Sequence, residues 1–165
     1  MQSNGEELLE VVDEEGRFVR LATRAECHSN RSLIHRSVCI LLFDSGGRLF
    51  LQRRSRYKDL YAGMTDVSVA GHARPGEGWE EAARHELGEE LGIEVGLEPI
   101  RIILVPVPLE TELTAIFRAE YDGPMQLDPS EVESGDWYTW AEAMQVPDLT
   151  PYAAAILDDL SNNQK

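Results

Sequence analysis

The segment from Gly71 to Ile93, GHARPGEGWEEAARHELGEELGI, constrains this chain more than any other stretch. It reads as a helix from about Trp79 to Leu91, stopped by Gly92 at the position where a left-handed residue ends a helix. At roughly 100° per residue, Glu86, Glu89 and Glu90 fall within one arc of about 100°. Trp79, Ala83, Leu87 and Leu91 form a separate stripe at i, i+4 spacing, suited to packing on a sheet. One helix therefore anchors itself by one face and offers three carboxylates from the next. Ionised carboxylates this close repel, so the arrangement costs stability unless a cation neutralises it. Hard oxygen ligands of this kind suit Mg²⁺ or Mn²⁺, above all when substrate phosphates complete the shell. Against this stands the commoner case of a Glu-rich face that is merely solvated, and a Glu-Glu pair alone would be weak evidence for a metal.

Bulk properties limit what such a helix can serve. The chain has 165 residues with 15 Lys+Arg against 30 Asp+Glu, a formal net charge of −15. That length suits one domain with a real core. The acidic balance argues against a nucleic-acid polymer as partner, because a polyphosphate backbone is recruited by surplus Lys and Arg. A small phosphorylated ligand remains compatible, since a metal ion reverses the local sign of a site. The N-terminus is acidic and lacks signal-peptide regions, and no apolar run approaches the ~18 residues of a membrane helix. Two cysteines, Cys27 and Cys39, make neither a disulfide framework nor a zinc spacing, so a cytoplasmic protein with reduced thiols is expected.

The remaining elements are predicted from pattern. Leu8 to Val12 and Arg17 to Leu21 flank the turn signal Asp13-Glu14-Glu15-Gly16, which predicts a hairpin. Thr23 to Glu26 has capping-box spacing for a short helix. Val38 to Phe43 and Leu49 to Gln52 around Asp44-Ser45-Gly46-Gly47 predict a second, stronger hairpin. Asp66 to Ala70, Ile100 to Val107 and Leu113 to Tyr121 read as strands. Trp137 to Trp140 reads as a late strand leading into a short helix from Ala141, and Thr150-Pro151 starts the last helix. Strands and helices interleave without a βαβ rhythm, which predicts an α/β (α+β) fold with a mixed sheet between helices.

The carboxylate helix and the loop before it resemble the Nudix box, G-x5-E-x7-R-E-U-x-E-E-x-G-U, where U is a bulky aliphatic residue. Gly71, Glu77, Glu86, Leu87, Glu89, Glu90, Gly92 and Ile93 match, eight of the nine specified positions. On this resemblance the chain is identified as a member of the Nudix hydrolases, with the MutT-like enzymes among them. The resemblance implies a single Nudix domain over 1–165, with the box at 71–93 and an N-terminal extension over about 1–30. It implies Mg²⁺ or Mn²⁺ at Glu86, Glu89 and Glu90, and pyrophosphatase chemistry on a small-molecule diphosphate such as a nucleoside diphosphate derivative. Gly71, Glu77, His85 and Gly92 are then structural positions of the box. The box Arg is His85 here, and Arg84 lies about 100° away around the helix, so it cannot take over. That departure bears on how the carboxylates are held. A neutral packing role for His85 stands beside a specialised one.

A second resemblance runs from Arg24 to about Trp140, to the isopentenyl-diphosphate isomerases of the same superfamily. It implies a second metal site at His28, His35, His72, Glu110 and Glu112, and diphosphate contacts from Arg24, Arg54 and Lys58. Without the family, three scattered histidines and basic residues at strand ends would be ordinary core and surface groups. The isomerase reaction needs proton exchange on both faces of an alkene, and Ala70 replaces the family's catalytic cysteine. Glu86 likewise replaces a basic diphosphate contact of the isomerases. An isomerase-like scaffold carrying hydrolase chemistry is the reading, with Glu86 and Glu112 as the candidate general bases. The alternatives are an isomerase that uses another residue in place of the cysteine, and a catalytically silent diphosphate-binding module. A homodimer is left open. Tyr61, Trp79, Trp137 and Trp140 stand as either base-stacking or core aromatics.

Overall fold

The structure is a computed structural model and describes residues 5–163. The first four residues of the expected N-terminal extension and the last two of the chain lie outside that range. Strand β3 (Ile34–Phe43) is the hub of the sheet. It runs parallel to β8 (Thr111–Glu120) in unbroken register from Ile34↔Thr111 to Phe43↔Glu120. Its other edge is shared by two short partners. There β1 (Leu8–Val12) pairs at Val11↔His35, and β6 (Val69–His72) pairs from Ser37↔His72 to Ile40↔Val69. β2 (Phe18–Thr23) closes the expected N-terminal hairpin on β1, and β7 (Glu98–Pro106) lies antiparallel on β8. β4 (Leu49–Arg54) pairs with β5 (Thr65–Asp66) and with β9 (Val132–Tyr138).

Period-two alternation in β3 sorts its side chains between two cores. Val38, Ile40 and Leu42 face α2 (Trp79–Leu91), where Ala83, Leu87 and Leu91 are buried as the helical stripe requires. Cys39 and Leu41 face α4 (Pro151–Asn162), against Ile156 and Leu157. The mixed sheet is thus sandwiched between helices, as expected. Burial of Leu87 and Leu91 stabilises α2 by about 1.5–3 kcal/mol each, enough to offset crowding among its carboxylates. Gly92 ends α2 with φ 65° and ψ 30°, the left-handed conformation assigned to it from its position. Capping boxes close α1 (Arg24–Ser29) at Thr23 and α3 (Trp140–Ala143) at Thr139, the latter one residue ahead of the expected start at Ala141.

Two strand expectations need correction. The Asp44–Gly47 turn forms, but β3 and β4 pair only at Phe43↔Leu49. Both edges of β3 are occupied by β1, β6 and β8, so β4 diverges toward β5 and β9. The expected strand from Asp66 to Ala70 is split, because its start pairs with β4 and its end with β3. Ser68 bridges the crossing: its Oγ accepts from Leu42 N at 2.9 Å and donates to Phe50 O, while Gln52 Nε2 donates to Ser68 O at 2.9 Å. Side chains there do the work of ladder bonds.

Candidate active site

A cavity of about 600 Å³ opens where α2, the end of β6 and the start of β8 meet. Glu86, Glu89 and Glu90 line one side of it. Glu90 is buried and its Oε1 accepts from Gln52 Nε2 at 2.8 Å. Glu86 lies over Gly71, where a Cβ would occupy the space of its carboxyl group, which accounts for a glycine at that box position. Burial, and then the neighbouring Glu89 charge, pushes the Glu86 carboxyl up to about 7. Burial, and then Glu86, pushes Glu90 well above the usual carboxylate range. Both carboxyls therefore give up their protons less readily than free carboxylates.

His85 occupies the position of the box Arg and is not mere packing. Its Nδ1 lies 3.1 Å from Glu77 Oε1 and its Nε2 lies 3.1 Å from Glu89 Oε1. Glu77 also accepts from Arg74 N at 2.8 Å through Oε2, so it braces the box loop from beneath. Arg84 points elsewhere, pairing with Glu80 one turn back.

The opposite wall carries the imidazoles. His28, His35, His72 and Glu110 each offer an atom within 4.8 Å of the others. Glu112 joins them, its Oε1 3.4 Å from His35 Nε2 and 3.5 Å from His72 Nε2. His28 Nε2 lies 2.6 Å and His35 Nε2 3.4 Å from the buried Glu110 Oε2, so these groups pair within the cluster and not with the surrounding chain. Buried polar atoms left to pair only among themselves are costly, and converging nitrogen and carboxylate donors suit a divalent cation. This donor set therefore fits the metal that the sequence resemblance implies. Burial opposes ionisation of Glu110, but contacts from His28 and then His35 overcome it and hold the carboxyl well below its usual range. Glu112 is lowered too, burial and Glu110 being outweighed by His35 and His72. The two walls thus differ in kind: one pair of carboxyls is shifted up from the ordinary range and the other down.

Arg24, Arg54 and Lys58 all line the cavity, and each already has a carboxylate. Arg24 Nη1 is 2.7 Å from Asp59, Arg54 Nη1 is 3.0 Å from Asp66, and Lys58 pairs with Glu131. A phosphate would have to share or displace these partners. Of the four aromatics, Tyr61 alone lines this cavity, held at φ 53°. Trp79 stacks under Arg36 at 4.1 Å, Trp137 packs edge-on to Phe50, and Trp140 Nε1 donates to Ser161. Sequence reasoning missed Gln52 of β4, Ser37 of β3 and Tyr152 of the last helix, together with Arg74 in the box loop and Glu131 in the turn before β9. A polar Ser37 within the buried run of β3 was the one visible signal.

The chain is similar to known proteins in sequence and in fold. The family model described as a NUDIX domain matches residues 33–160. An isopentenyl-diphosphate Delta-isomerase of Nocardia farcinica is 32% identical over 161 residues, covering 91% of this chain and 92% of that protein. An uncharacterized Nudix hydrolase of Pseudomonas aeruginosa is 34% identical over 155 residues, covering 93% and 91%. Among solved structures, DR0079 from Deinococcus radiodurans is similar at a TM-score of 0.80 and 26% identity, covering 93% of this chain and 98% of that one. The NUDIX domain of Shewanella oneidensis NrtR, solved with ADP ribose, shares the fold at a TM-score of 0.64 and 16% identity, covering 81% and 88%.

Proposed function

This chain belongs to the Nudix family, and from that premise we propose that it hydrolyses a diphosphate linkage in a small molecule with Mg²⁺ or Mn²⁺ as cofactor. The observation that carries the reading is the full carboxylate face of α2, Glu86, Glu89 and Glu90, lining a cavity large enough for a nucleoside diphosphate derivative. A divalent cation held by these three would neutralise charge on the phosphoryl oxygens and lower the pKa of the attacking water. His28, His35, His72, Glu110 and Glu112 would hold a second.

The chain's own residues supply the rest. Glu86, pushed up to about 7, can take or hold a proton near neutral pH, and Glu112, held ionised, is the other candidate base. Arg24 and Arg54 present planar donors for phosphate oxygens and Lys58 a point charge. Their carboxylate partners keep these cations in place before substrate enters. Glu77 and His85 fix the box loop and Glu89. ADP ribose, found with the Shewanella oneidensis fold neighbour, is a small molecule of the proposed substrate class.

The His/Glu cluster, with isomerase relatives matching nine-tenths of the chain, favours one second reading, an isopentenyl-diphosphate isomerase. Ala70 opposes it, having no proton to exchange, and both cysteines are buried and neither lines the cavity. Incubation with isopentenyl diphosphate and Mg²⁺ in deuterated water separates the two. Phosphate release without deuterium in recovered substrate supports the hydrolase, while an allylic product supports the isomerase. A panel of nucleotide sugars, dinucleoside polyphosphates and nucleoside diphosphates tests the substrate class. Binding across that panel with no metal-dependent turnover would instead indicate a silent diphosphate-binding module.

A further inference from the structure

Deep in the cavity, three hydroxyl groups meet in a setting that packing alone does not require. Ser37 of β3 and Thr114 of β8 are register partners, and their oxygens are 2.7 Å apart. Tyr152, second residue of α4, reaches the same point, its hydroxyl 3.4 Å from both. All three side chains are buried, and Tyr152 is only 8% exposed, yet Ser37 and Tyr152 line the cavity. Tyr152 packs in a cluster with Cys39, Val67, Ile156 and Leu157, and the Glu112 carboxylate is close enough for its charge to be felt. Ala70, paired with Cys39 across β3 and β6, contributes a methyl group beside them and leaves space in front.

The hydrogen-bond accounting is incomplete. Good O–H···O bonds are about 2.7–2.8 Å long, so Ser37 and Thr114 share one such bond while Tyr152 has only two long contacts, donating to Thr114 Oγ1 at 3.4 Å and lying 3.4 Å from Ser37 Oγ. Tyr152 is nonetheless held rigidly. Thr150 caps α4 through Ala153 N at 3.1 Å and donates to Asp66 Oδ1 at 3.1 Å, which fixes the first turn against β5. Burial pushes the Tyr152 hydroxyl well above its ordinary value, so it keeps its proton and remains a donor. A rigid, buried donor with weak partners and a face on a ligand cavity selects for an acceptor.

We propose that Tyr152, braced by Ser37 and Thr114, forms a polar subsite that recognises an oxygen-bearing group on the organic end of the substrate. The cavity then takes a hydroxylated diphosphate in preference to a hydrocarbon one. The inference rests on the reading of this cavity as a diphosphate site and deepens it by naming the chemistry of the non-reacting end. An alkyl chain in the same place would exclude water from Tyr152 without replacing it, and the hydroxyl left with only its two long contacts is what discriminates.

The test uses matched ligands: butyl diphosphate and its 2-, 3- and 4-hydroxy derivatives, titrated calorimetrically into the full chain with Mg²⁺, with hydrolysis followed in parallel. At least one hydroxylated ligand should bind about 5–10-fold more tightly than butyl diphosphate, the range a single neutral hydrogen bond supplies. In Tyr152→Phe, which keeps the ring and its packing, that ratio should fall to within about twofold. Ser37→Ala, which loosens the brace, should lower it partway. A wild-type ratio near one, or a ratio unchanged in Tyr152→Phe, overturns the subsite even if every ligand is hydrolysed. Selectivity that depends on Tyr152 without any hydrolysis upholds the subsite and counts against the hydrolase reading instead.

Discussion

His85 stands 3.1 Å from Glu77 through one ring nitrogen while its other nitrogen lies 3.1 Å from Glu89, so one imidazole ties the loop before α2 to the carboxylate face. The residue that departs from the family pattern therefore still holds the two groups that an arginine would hold. His85→Arg is expected to stay within about threefold of wild-type kcat/KM. His85→Ala, which releases both carboxylates, should lose roughly tenfold or more, about 1.4 kcal/mol of transition-state stabilisation. Steady-state kinetics on the two variants measures this, and equal activity in all three proteins would show that neither contact matters.

Gly71 is required by space, not by backbone conformation. A Cβ there would meet the Glu86 carboxyl group directly. Gly71→Ala should fold, because the added Cβ meets the end of a side chain and not backbone, but it should displace Glu86. Metal-dependent turnover is expected to fall by roughly an order of magnitude or more, with Mg²⁺ half-saturation moved upward. Circular dichroism with a Mg²⁺ titration of activity separates this outcome from simple unfolding.

The raised carboxyls make a signed prediction about pH. Glu86 ionises near 4.5 when unfolded and near 7 when folded, so the folded state binds the extra proton between those values. The Glu86 contribution to metal-free stability should therefore be full below about 4.5 and be lost as pH rises through about 7, with Glu90 extending the decline, whereas Glu110 and Glu112 contribute above about 4.5 and lose it as pH falls. His35 and His72 are raised as well, burial being outweighed by Cys27, Glu110 and Glu112 for the first and by Glu112 and Glu7 for the second. Their contribution is full below about 6.5 and is lost as pH rises through the folded values. Mg²⁺ binds ionised carboxylates, so it should raise the melting temperature more at pH 8 than at pH 5. Glu86→Gln should flatten the metal-free decline between those limits. Thermal melts across pH with and without Mg²⁺ provide the check, and a Mg²⁺ effect independent of pH would contradict the assignment.

The N-terminal hairpin also acts on the site. Glu10 of β1 accepts from Arg36 Nη1 at 2.9 Å and from Gly76 N at 2.9 Å, while Arg36 Nη2 donates to Glu77 O at 2.9 Å. This chain of bonds straps the box loop to the hairpin over the Trp79 ring. Glu10→Ala leaves the Arg36 guanidinium short of a partner and should cost about 1–3 kcal/mol in denaturant unfolding. Activity should drop with it, since Glu77 loses its support. A loss of stability with full activity would limit the strap to a structural role.

Legibility in the sequence followed the range of the interactions. α2 could be read in full because its stripe, its carboxylate arc and its Gly92 stop all lie within one local period. The His/Glu cluster was legible only through resemblance, since His28, His72 and Glu110 come from α1, β6 and the loop before β8. The splitting of β5 from β6 was not legible, because it depends on Ser68 bonding to Leu42 and Phe50 from other strands. Tyr152 lay beyond reach for the same reason: helix α4 must fold back on the sheet before its hydroxyl meets Ser37.

Glu90→Gln tests the central claim most directly. The substitution keeps the shape and the neighbourhood of Gln52 but removes a ligand charge from the buried face of α2. The measurement is Mg²⁺-dependent cleavage of a diphosphate panel followed by phosphorus NMR, wild type against variant. Wild type should cleave at least one diphosphate only when the cation is present, and Glu90→Gln, folded to the same melting profile, should be slower by two or more orders of magnitude. Cleavage at an unchanged rate in the variant, or at the same rate in wild type without a divalent cation, would contradict it.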